Sequence, residues 1–141
     1  MANLIPFAFR GELFTGTHNF ASGGDSFKLA LYTANPYTTA STAYSATSEV
    51  SASGTNYTTT GNALTGNAVA YGTAVASCDF DDSTWSTATF TAAFGAIYND
   101  DESDKLCVVL DFSGDKTATN GTFKVSFPSP TTPADAIISM A

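Results

Sequence analysis

Charge is scarce in this chain and unequally signed. Five Lys and Arg stand against thirteen Asp and Glu, a formal net charge of −8 over 141 residues. Such a surface repels phosphate backbones and offers no counterion release, so nucleic acid is not an expected partner. Cysteine and histidine are almost missing. Cys78, Cys107 and His18 form no Cys-x-x-Cys pair and no histidine cluster, which removes metal–thiolate chemistry, and the two cysteines read as buried thiols used as small apolar residues. Long hydrophobic runs are absent too: nothing approaches the roughly eighteen apolar residues of a membrane span, and no membrane partner is expected. The opening Met1 to Pro6 lacks the basic and apolar regions of a signal peptide, so no export signal is expected. Nor does any segment sustain an apolar period of 3.6. The one helical hint is a capped turn at Thr47-Ser48-Glu49-Val50.

What is present is β character. A hydrophobic share of 43% with 13% charged residues is that of a folded chain, and its length suits one domain with its own core. Phe27, Leu29 and Leu31 alternate with Lys28 and Ala30, the period of a half-buried strand. Thr87 to Ala92 and Phe123 to Phe127 alternate in the same way, each with one wet face. Leu106-Cys107-Val108-Val109-Leu110 is apolar at every position, which predicts a central strand covered on both sides. Val69–Tyr71, Thr73–Phe80 with a bend at Gly72, Phe94–Tyr98 and Ala136–Met140 complete the set. Turn chemistry falls at Asn35-Pro36, Ser53-Gly54, Gly61-Asn62, Asp81 to Ser83, Asn99 to Asp101, Ser113 to Asp115, Asn120-Gly121 and Pro128 to Pro133. About eight strands so punctuated predict an all-β fold, a two-sheet antiparallel β-sandwich of jelly-roll type. The expected core holds Leu29, Leu31, Phe90, Val108, Leu110, Phe123 and Val125.

Two regions stand outside this pattern. Residues 1–26 carry Phe7, Phe9, Leu13, Phe14 and Phe20 without strand or helix periodicity, and read as an extended N-terminal arm preceding a sandwich domain over 27–141. Residues 35–67 are rich in Thr, Ser, Ala and Gly, with Tyr37, Tyr44 and Tyr57. Such a loop serves either as an adaptable contact surface or as a cover for the sheet, and the sequence leaves both open. Phe7, Phe9, Arg10, Leu13, Phe14, Tyr37 and Tyr44 are therefore the candidate partner-binding residues.

Catalysis finds little to work with. A nucleophile needs a base, and His18, the only histidine, lies in the arm beside Glu12 and Asp25 and reads as a surface residue. Glu12, Glu49, Glu102 and most Asp residues sit in turn-like sequence, which explains them without a glycosidase pair. Asp79, Asp81 and Asp82, or Asp100, Asp101, Glu102 and Asp104, supply oxygen ligands in the number calcium accepts, but in no EF-hand pattern. Gly23-Gly24 lacks the ending of a phosphate loop, and Trp85 reads as a plug at one end of the sandwich. No catalytic residue, cofactor or metal is expected.

Several short segments follow one another in a familiar order: Glu49-Val50 with Gly54 and Tyr57, Gly61 to Leu64, Trp85, Gly95 to Asn99, then Val109 to Lys116 with Gly121-Thr122-Phe123. This string resembles small virion structural proteins of tailed double-stranded DNA phages over roughly residues 27–127. It departs from them at Phe94, where the pattern has Arg, and at Ser113, where it has Gly. The resemblance implies a capsid cement, or decoration, protein made in the host cytoplasm and held on the outer capsid surface. Its partner would be the major capsid protein, with self-association as a dimer or trimer on the shell. The alternative is a tail-fibre or receptor-binding module whose Tyr and Trp rings stack on sugars.

Overall fold

The computed structural model describes residues 3–128 and 136–140. It is mostly β, with two antiparallel sheets, and is compatible with an all-β sandwich. In chain order the elements are α1 (Phe7–Phe14), β1 (Phe27–Tyr32), β2 (Asn62–Ala63), β3 (Ala68–Tyr71), β4 (Ala76–Asp79), β5 (Ser83–Asn99), β6 (Lys105–Val125) and β7 (Ile138–Met140). One sheet runs β2-β1-β5-β6 and the other β3-β4-β7.

The long β5–β6 hairpin is the spine of the molecule. Thr87–Ala92 and Phe94–Tyr98, expected as separate strands, are one strand, and so are the segments around Val108 and Val125. The residues that looked like turns at Ser113-Gly114 and Asn120 lie inside β6. There they take positive φ, and the register shifts beside them, between Ala92 and Phe94 and between Ala88 and Phe90. Residues that tolerate the left-handed region thus form bulges that bend a continuous ladder instead of ending it. The reversal itself falls at residues 100–104, where Ser103 and Asp104 have positive φ.

β1 is buried on both faces, not one. Phe27, Leu29 and Leu31 join a core with Phe9 and Phe20, Cys78 and Ile138 of the second sheet, and Val108 and Leu110. On the opposite face, Ala30 and Tyr32 pack with Tyr37, Ala96, Tyr98, Leu106 and Val109. Leu106–Leu110 is likewise covered on both sides, as its unbroken apolar run requires, but β6 is an outer strand of its sheet and not a central one. Its free edge is closed by bridges from Leu4 to Val109 and from Ala43 to Lys105.

The segment expected to be an extended arm instead contains a helix. Pro6 enters α1 with φ already suited to it, and Gly16, at φ 69°, stops it by donating its N–H to the Leu13 carbonyl. The capped turn expected at Thr47–Val50 is a plain turn, with Ser48 at positive φ and Glu49 bridged to Tyr32. Trp85 is buried against Tyr57, Phe90 and Phe123, and both thiols are buried and free. Of the expected turn at Pro128 to Pro133, residues 129–133 lie outside the described residues.

The buried ends of the spine set the first test. Leu110→Ala is expected to lower unfolding stability by about 2–5 kcal/mol, through lost transfer energy and a residual cavity. Equilibrium denaturation checks it. A loss under about 0.5 kcal/mol contradicts the two-sided burial of β6.

Candidate functional site

The seven candidate partner-binding residues divide by helix geometry. Phe9 and Leu13, four apart, point inward: Phe9 is fully buried beside His18 and Phe20, and Leu13 packs against the same core. These two hold α1 to the body and are not free for a partner. Phe7 and Phe14, seven apart, share the opposite stripe and are 61% and 93% exposed. Arg10 lies between them, its guanidinium 4.8 Å from the centre of the Phe7 ring and its Nη2 donating weakly to the Ile5 carbonyl at 3.5 Å. Among the described residues no carboxylate pairs with Arg10. The outer face of α1 is thus one bare ring, Phe14, and a second, Phe7, with a cation on its face.

Tyr37 and Tyr44 go the other way, with the rest of their loop. The Tyr37 hydroxyl donates to that of Tyr32 at 2.6 Å, Tyr32 donates onward to the Ser45 carbonyl at 2.9 Å, and the Ser45 N–H returns a bond to Tyr37 at 3.0 Å. Tyr44 and Tyr57 both donate to the Glu49 carboxylate, at 2.5 and 2.7 Å, and the Thr60 N–H adds a third bond at 2.8 Å. Tyr57 also accepts the Leu31 N–H of β1 at 3.0 Å. Burial first, and then the neighbouring carboxylate, push the phenols of Tyr44 and Tyr57 well above the ordinary tyrosine value. The loop is a cover for the sheet: Tyr37 is spent in its interior, and Tyr44 is half-buried on Tyr98. Sequence reading missed Glu49 as its organiser. The signal was there, since Glu49 is the only acidic residue between Asp25 and Asp79.

His18 is buried and not at the surface. Its Nε2–H donates to Glu12 at 2.8 Å, while its Nδ1 accepts from the Asn99 amide at 3.0 Å. The amide orientation follows from its partners: Asn99 Oδ1 accepts the Asp101 N–H, so Nδ2 faces both His18 and Asp25. Lys105 completes the cluster with a 3.0 Å ion pair to Glu12. Cys107 Sγ stands 4.0 Å from His18 Nδ1, but burial raises its thiol well above the ordinary value, and burial likewise pushes Cys78 up to about 12. Both imidazole nitrogens are occupied and the thiol is held protonated. Chemically the cluster is a clamp joining the N-terminal segment to the β5–β6 reversal. Among the described residues no group of three or more His, Cys, Asp or Glu side chains is arranged to hold a metal ion, the acidic turns included, and no helix is long and apolar enough to cross a membrane.

The chain matches no family model, no curated protein and no solved structure. Function must be read from the surfaces just described.

The clamp has a defined pH response. Burial acts to raise the Glu12 carboxyl, but hydrogen bonds from His18 and Lys105 outweigh it and hold the group below its ordinary value of 4.5. A depressed carboxyl contributes stability above that value, and the contribution is lost as pH falls through the lower folded-state value. The melting temperature of the wild type is therefore expected to fall more steeply below about pH 4.5 than that of Glu12→Gln, measured by calorimetry. In the loop, Glu49→Ala should cost about 1–3 kcal/mol for each buried donor left without an acceptor, with Glu49→Gln intermediate. Equal stability in all three proteins overturns the carboxylate's role.

Proposed function

We propose that this protein is a phage capsid cement protein, binding the major capsid protein on the outer surface of the shell and self-associating there as a dimer or trimer. In this reading the two sheets form a jelly-roll-like sandwich, and its N-terminal segment supplies the anchor. The observation that carries the reading is the outer face of α1. Phe14 at 93% and Phe7 at 61% exposure are two large, mostly uncovered apolar groups, Phe7 carrying only the Arg10 guanidinium on its face, and Arg10 has no carboxylate of its own among the described residues. Burying such side chains is worth about 1.5–3 kcal/mol each, so a surface with apolar pockets and a carboxylate is their fitting partner.

Charge supports the same side of the shell. A chain of net charge −8 is repelled by packaged DNA and tolerated outside. The tail-fibre alternative draws its sugar platform from Tyr and Trp rings, and Tyr32, Tyr37, Tyr57, Tyr98 and Trp85 are buried, leaving Tyr71 as a single exposed ring and no platform of several.

The test is co-sedimentation with shells assembled without the protein. The double variant Phe7→Ser, Phe14→Ser changes only exposed side chains and should keep the wild-type melting temperature while losing at least about tenfold in shell affinity, equal to about 1.4 kcal/mol. Unchanged binding overturns the α1 anchor. Virion stoichiometry checks the wider reading: hundreds of copies fit a cement protein, a handful a tail component.

A further inference from the structure

Of the four outer strands among the described residues, three are blunted and one is not. β2 is two residues long and β7 three. The first part of β6 is bridged by Leu4 and Ala43, and the rest carries Lys116 and Lys124 and is bent by the positive-φ residues Ser113, Gly114 and Asn120. Short length, lysines and bulges are the usual protections against strand-to-strand association. β3, Ala68-Val69-Ala70-Tyr71, has none of them. It bears no charge, proline or glycine, and its register with β4 is unbroken.

The direction of its backbone groups follows from the turn beside it. The Gly72 N–H donates to the Val75 carbonyl at 2.7 Å, which makes 72 and 75 a hydrogen-bonded pair. Antiparallel pairs alternate, so Ala70 and Ala68 bond to Ser77 and Asp79, and the N–H and C=O of Val69 and Tyr71 point away from the sheet. Their side chains are exposed as well, Tyr71 at 83%. Val69 lies in register with Cys78 and Ile138, and Tyr71 with Ala76 and Met140, so all six share one apolar face. That face continues into a groove of about 130 Å³ lined by Phe9, Leu13, Phe20, Val69, Cys78 and Met140.

We propose that two copies of this chain pair antiparallel through β3, about a two-fold axis at Ala70. The parity fits a second copy. Val69 then stands opposite Tyr71 of the other chain, and Tyr71 opposite its Val69, so that the outward-pointing groups of both strands meet in hydrogen-bonded pairs. Each pair also sets an aromatic ring against a β-branched side chain, a favoured cross-strand match. The ring falls beside Val69, at the mouth of the groove. An acidic chain can meet itself here because the strand carries no charge, and the one carboxylate in register with it, Asp79, lies opposite Ala68 at the far end. The two three-stranded sheets become one of six strands, and two-fold closure leaves no repeating edge on β3. A four-residue ladder falls well short of the roughly 800 Å² per partner of a standard interface, so the dimer is concentration-dependent.

The pairing is a property of the protein alone and is tested without shells, by sedimentation velocity from about 5 μM to about 1 mM. The wild type should shift toward dimer across this range. Val69→Pro removes an outward N–H that the β3–β4 ladder does not use, and Tyr71→Lys places like charges at the axis; each should raise the dissociation constant at least tenfold with the melting temperature unchanged. Should Val69→Pro lower the melting temperature, Tyr71→Lys, altered only at an exposed side chain, decides the matter. A wild type that stays monomeric to about 1 mM, or a dimer that Tyr71→Lys leaves at full strength, overturns the proposal. A monomer that still binds shells overturns the pairing alone and leaves the cement reading standing. A dimer weakened by Tyr71→Lys supports the pairing whether or not it binds shells.

Discussion

Five consecutive apolar residues in a strand, Leu106 to Leu110, cannot be satisfied by one core. Because side chains alternate, such a run demands dry cover on both faces of its sheet, and most of the molecule answers that demand. On one face lie the second sheet and the inward side of α1; on the other lie Tyr32, Tyr37 and Tyr98 under the long loop. Even the strand's edge is closed, by Leu4 and Ala43, so that an outer strand has the surroundings of a central one.

Covering a sheet with an irregular loop creates a second problem, since the loop's own polar groups become partly dry. The solution is a mixed cover of aromatic rings carrying hydroxyls. Tyrosine supplies apolar area to the sheet and a donor to the loop backbone, as at Ser45 and Thr60, or an acceptor to the strand backbone, as at Leu31. One carboxylate then gathers two of those hydroxyls and a backbone N–H. The His18 cluster repeats the device at the other end, tying Glu12, Asn99, Asp25 and Lys105 through contacts that span the chain. In both places a charge inside the fold is held by several donors, the condition under which partial burial is tolerated.

The existence of most strands was legible, Phe27 to Tyr32 from its alternation and the aliphatic run of β6 from its unbroken apolar sequence, but their surroundings were not: β1 is buried on both faces and β6 lies at the outside of its sheet. Bulges were not legible, because Ser113-Gly114 and Asn120-Gly121 have the same chemistry whether they reverse a chain or bend it, and only the partner strand decides. α1 escaped notice for a related reason. Its apolar residues occupy two opposed stripes, Phe9 with Leu13 and Phe7 with Phe14, so no single 3.6-residue face emerges. Pro6 and Gly16, standing at its two ends, were the better signal. The exposed aromatic candidates were thus found by composition, but which of them face outward depended on a helix that composition does not reveal.

The bridge from Leu4 to Val109 joins the start of the described fold to its last long strand. β1 likewise pairs along its whole length only with β5, since β2, the next strand, is two residues long and lies beyond the long loop. A chain emerging from the ribosome at about 5–20 residues per second therefore spends on the order of 5–20 seconds with its N-terminal aromatics synthesised and their covering strands not yet made. During that interval Phe9, Phe20 and Phe27, buried in the finished fold, are open to any apolar surface nearby. The protein's greatest exposure to misassociation belongs to its birth, before its last long strand is complete, and chaperone demand should track the time taken to translate β6.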